Sequence, residues 1–60
     1  MPEHDKLLLA ALAYLKAAIY GKSVGEEDWP YKKEDFEINN EYDALFKCRE
    51  IINEMLYNLN

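Results

Sequence analysis

Sixty residues with one cysteine, one histidine and a formal net charge of −5 make one domain at most, exclude an internal disulfide and leave no Cys/His cluster able to hold zinc. An acidic balance argues against direct binding to nucleic-acid phosphates, which takes clustered Lys and Arg. Thirteen of the fourteen residues Leu7–Tyr20 are apolar, yet a bilayer span needs about twenty, so no membrane association is expected.

The first element is a helix over residues 2–20. Pro2 suits the first helical position, and Glu3 and Asp5 complement a helix N-terminus. The same two carboxylates stand where a secretory leader carries positive charge. With a lone thiol suited to a reducing compartment, they make the cytoplasm the expected location. Gly21 is expected to end the helix as a left-handed cap. At about 100° per residue, Leu8, Leu12, Leu15 and Ile19 fall within about 60° of one another, and Leu7, Ala11, Tyr14 and Ala18 widen the stripe into a core face.

The other side of this helix should be polar. Instead it carries Leu9, Ala10, Ala13, Ala17 and Tyr20, with Lys6 and Lys16 as its charges. A helix apolar nearly all round is covered nearly all round, so these five residues are expected to form a second surface used in self-association. The alanine row would let another helix approach closely.

Residues 21–39 are long for a simple helix–helix connection, where two to eight residues is common, and so are expected to pack. Ser23 with Glu26 has the spacing of a capping box for a short helical turn. Trp29–Pro30 stops that turn, because the residue before proline avoids the helical region. A second short turn can open over Tyr31–Phe36, with Trp29, Tyr31, Phe36 and Ile38 as packing residues.

The second long helix spans residues 41–58, with Asn39 or Asn40 as N-cap and Glu41 and Asp43 in its first turn. Ala44, Leu45, Cys48, Ile51, Ile52, Met55, Leu56 and Leu59 form its expected core stripe. Asp43 and Lys47 make a favourable i,i+4 pair. The fold class is therefore all-α: two long amphipathic helices joined by a packed connection with one or two short helical turns, forming a helical bundle on self-association.

No set of residues here supports catalysis. A nucleophile needs a base in hydrogen-bond reach and an orienting partner. Cys48 lies on a core stripe with no adjacent base, and His4 is remote from it in sequence. The carboxylates Glu26, Glu27, Asp28, Glu34, Asp35 and Glu37 crowd the connection without the spaced loop that holds calcium. No enzyme activity, metal or cofactor is expected.

Three functional readings follow. The first is a non-catalytic interaction module, self-associating as a homo-oligomer with a dimer favoured, that regulates or inhibits a partner protein. The second is an acidic decoy that occupies a nucleic-acid-binding site on a partner protein, as an anti-defence protein of a mobile element would. The third is a small-ligand or nucleotide binder at a subunit interface. The residues available for partner or ligand contact are Trp29, Tyr31, Lys32, Lys33, Glu34 and Asp35, where aromatic faces adjoin two ammonium groups.

Overall fold

The computed structural model describes residues 3–58; Pro2 and Leu59, which figure in the sequence expectations, lie outside them. Helix α1 spans Glu3–Tyr20, a short α2 spans Lys22–Glu26, a single 3₁₀ turn covers Lys33–Asp35, and α3 spans Glu41–Asn58. The described residues contain no strand. The two long helices and the two short turns thus form where the sequence places them.

Local chemistry explains each boundary. The backbone N–H of Gly21 donates to the Ala17 carbonyl at 2.9 Å and closes the last turn of α1. Gly21 has φ +105° and ψ 163°, a region essentially reserved for glycine. It is therefore an elbow between two helices, not the left-handed cap expected. The capping box expected from Ser23 and Glu26 also does not form. Gly21 is the N-cap of α2 and no side chain caps that helix. At the start of α3, Asn40 Oδ1 accepts from the Asp43 N–H at 2.9 Å, and Asp43 Oδ2 accepts from the Asn39 N–H at 3.0 Å. The first bond satisfies one of the donors a helix start leaves without partners, and the second ties the incoming chain to the first turn.

Helices α1 and α3 pack along one another. Ala17 and Ala18 near the end of α1 line one groove with Asn40 and Glu41 at the start of α3, so the two run antiparallel. The core joins Ala11, Ala13, Tyr14 and Ala17 of α1 to Ala44 and Cys48 of α3 through Phe36 of the connection, with Ala18, Trp29, Ile38 and Ile51 packed against it. Phe36 is its one large side chain that is fully buried. Burying Cys48 raises the pKa of its thiol above the ordinary value.

Here the structure corrects the orientation of α1. Ala10, Ala13 and Ala17, expected to be a surface for another copy, are buried within the chain. The occupant is α2. A Cβ added to Gly25 would stand 2.7 Å from Ala17 Cβ and 2.8 Å from Ala17 N, and closer still to the Ala13 carbonyl oxygen. Backbone thus meets backbone, which only small residues on both sides permit. Leu9 is half-buried beside this row, and Tyr20 is exposed. Of the expected core face, Ala11, Tyr14 and Ala18 do pack in the core, while Leu8, Leu12, Leu15 and Ile19 are 39–63% exposed. The stripe of α3 divides in the same way. Ala44 and Cys48 are buried and Ile51 and Met55 half-buried, while Leu45, Ile52 and Leu56 are exposed.

Candidate interaction face

On α1, the row Leu8, Leu12, Leu15 and Ile19 lies roughly 150° round the helix from Ala13 and Ala17, which meet α2. On α3, Asp43 and Lys47 mark the side turned toward the connection. The Lys47 ammonium donates to the Glu37 carbonyl oxygen and pairs with Asp43 at 3.2 Å. Leu45 and Ile52 lie roughly 170° round from that side. A layer of two helices has two broad sides. Both aliphatic rows oppose the connection, so they share one face.

The extent of this face can be estimated. Leu8, Leu12, Leu15, Ile19, Leu45 and Ile52 expose fractions of 50, 39, 40, 63, 44 and 43%. At about 200 Å² for a fully exposed leucine or isoleucine, they present on the order of 550 Å² of aliphatic surface, near the upper end of the largest patch on a typical monomer. Leu56 continues the α3 row, and Tyr42, Phe46 and Tyr57 carry exposed aromatic surface round the same helix.

The opposite side is finished differently. Tyr14, Trp29 and Phe36 pack ring on ring, with centroid separations of 5.1, 4.9 and 5.0 Å, and Tyr31 meets Trp29 edge-on at 5.4 Å. Trp29 Nε1 donates to the Lys32 carbonyl at 2.8 Å, and Tyr31 Oη donates to Glu3 Oε1 at 3.1 Å. Burial, with the carboxylates of Asp43, Asp35 and Glu37 adding to it, raises the Tyr14 pKa above the ordinary phenol value. For Tyr31, desolvation and then the bond to Glu3 act in the same direction.

Sequence grouped Trp29, Tyr31, Lys32, Lys33, Glu34 and Asp35 as a contact site. The structure separates them. Trp29 is committed to the chain's own packing, whereas Lys32, Glu34 and Asp35 are exposed. Lys33 approaches Glu26 at 4.0 Å. Lys16 holds Asp28 at 2.9 Å, and that bond raises the Lys16 pKa. No buried side-chain polar atom among the described residues lacks a hydrogen-bond partner. Among them, no group of three or more His, Cys, Asp or Glu is arranged to hold a metal ion, and no helix is long and apolar enough to cross a membrane.

Sequence reasoning placed Leu45 and Ile52 in the core and missed their place on the exposed face. The available signal was their spacing. Positions 45, 49, 52 and 56 repeat the four, three, four intervals of 8, 12, 15 and 19, but Arg49 interrupts the row. Comparison with family models, curated proteins and solved structures finds no match to this chain.

Proposed function

We propose that this protein is a small, acidic protein–protein interaction module that covers its aliphatic face with a second copy of itself and acts as a non-catalytic regulator or inhibitor of a partner protein. One observation carries the reading: leucines and isoleucines from both long helices are exposed together on the side away from the connection. Their area, on the order of 550 Å², is about two thirds of the roughly 800 Å² per partner of a standard stable interface. A second copy supplies a matching face by symmetry. Two such layers face to face make a four-helix bundle whose centre holds the leucines and isoleucines that the single chain leaves exposed. A sixty-residue chain gains stability in this way without disulfide or metal.

Sedimentation equilibrium on the purified chain tests the association directly. The expected result is twice the 7.1 kDa chain mass at micromolar concentration, with Leu12→Glu returning the chain to monomer at unchanged helicity. A stable wild-type monomer at those concentrations would refute self-association.

The connection side supports a second reading, the acidic decoy. Glu27, Glu34, Asp35 and Glu37 are exposed there, on the side that a dimer leaves in water. Such a surface suits a basic nucleic-acid-binding site on a partner. Its affinity for a basic protein should fall steeply with added salt; an affinity indifferent to salt removes this reading.

A further inference from the structure

Resting on the self-association just proposed, we infer that Arg49 is the residue that holds the assembly at a dimer and sets how the two layers meet. Two rows of four positions, 8, 12, 15, 19 and 45, 49, 52, 56, share one spacing, and each falls within about 60° of its helix at about 100° per residue. Seven of the eight residues are leucine or isoleucine; the eighth is Arg49.

The position of Arg49 within the row matters. It occupies the edge of the row that turns toward the outer side of α3, where it lines a shallow groove with Tyr42, Leu45 and Phe46. Its guanidinium carbon stands 5.1 Å from the centroid of the Phe46 ring. The ion pairs of the described residues are Lys16–Asp28, Lys33–Glu26 and Lys47–Asp43, and Arg49 takes part in none of them. Its stem can line an apolar seam while its charge stays hydrated at the rim. Any packing that carried the outer side of α3 inward would bury two guanidinium groups, one from each copy, with no carboxylate paired to either, and such burial is strongly unfavourable. One charge in an otherwise apolar seam therefore selects one arrangement at some cost in affinity, as polar residues in coiled-coil seams do. Arg49 also puts a charge where the aliphatic row, at Leu45, adjoins Tyr42 and Phe46. Without it, the two surfaces merge into one apolar sheet, and further copies can add beyond the second.

The test compares masses of the full chain by sedimentation for wild type, Arg49→Leu and Arg49→Lys. Wild type is expected as a dimer. Arg49→Leu should lower the dimer dissociation constant by about tenfold or more and give species heavier than a dimer at concentrations where wild type shows none. Arg49→Lys keeps the charge and the stem and should remain dimeric. A dimeric wild type with an Arg49→Leu variant of unchanged mass and unchanged dissociation constant overturns the role of Arg49 and leaves the self-association standing. A monomeric wild type overturns both.

Discussion

The two sides of the helical layer are built from opposite materials. Toward the connection, α1 presents Ala13 and Ala17, which Gly25 of α2 meets at backbone distance, and the volume of the core comes from the rings of Tyr14, Trp29 and Phe36 beside them. Away from the connection, the same helix presents Leu8, Leu12, Leu15 and Ile19 with nothing from the connection on top. Large apolar side chains mark the inside of most helices, but here the side with the smallest side chains is the one covered. What decides is the covering segment. A short helix crossing at backbone distance needs alanine beneath it, and aromatic rings supply their own bulk.

Substitutions can break this contrast, and the largest effect should fall on the covered side. Phe36→Ala removes the one large side chain that is fully buried among the described residues. It should cost about 3–5 kcal/mol, most of the stability of so small a domain, as read by urea denaturation. Gly25→Ala is next. Its new methyl meets the backbone of Ala13 and the Cβ of Ala17, so α2 must lift off α1. The loss should be about 1–3 kcal/mol, although the substitution raises helix propensity.

On the other side, Leu12→Ala sharpens the contrast. In a single chain, Leu12 is 39% exposed, so truncation should cost less than the roughly 2–5 kcal/mol of a buried leucine. In an associating chain, Tm rises with protein concentration by mass action, and it should rise less steeply for Leu12→Ala. Parallel Tm curves for the two proteins would show that Leu12 lies outside the interface.

At the start of α3, Asn40→Ala removes the acceptor for the Asp43 N–H and should cost about 1 kcal/mol. Hydrogen exchange would show it as faster exchange confined to the first turn. The smallest expected effect is a dependence on pH. The Asn39 N–H, and then Lys47, hold the Asp43 carboxyl below its ordinary value. A depressed folded-state pKa gives stability that is fully present above the ordinary carboxylate value of about 3.9. This stability is lost as pH falls from there through the lower value of the folded state. An acid titration of helicity should therefore lose part of its amplitude in Asp43→Asn; an identical acid limb would show that Asp43 contributes nothing there.

The helices, the break between α1 and α2 and both short turns were legible because they depend on local chemistry. Gly21 and Pro30 interrupt, Asn40 caps, and the apolar spacing runs at the helical period. The direction in which α1 faces was not legible. A helical wheel groups Leu8 with Leu12, Leu15 and Ile19 but does not say which group meets a neighbour. Size was a misleading guide, since the neighbour was a five-residue helix carrying Gly25. One hint was present: alanines at 13 and 17 with a glycine a few residues on are the small residues that a backbone-to-backbone crossing requires. On α3 the hint was Arg49, a charge too costly for the middle of a buried stripe.

Because Trp29 is the chain's single tryptophan and packs against Tyr14, Phe36 and Tyr31, its fluorescence reports on one side of the molecule alone. Loosening of the connection should shift its emission to longer wavelength as the indole becomes wet. Events on the leucine side should leave the emission where it is. One cuvette, read for emission wavelength and for light scattering, would therefore record folding and assembly as two independent signals from the unlabelled protein.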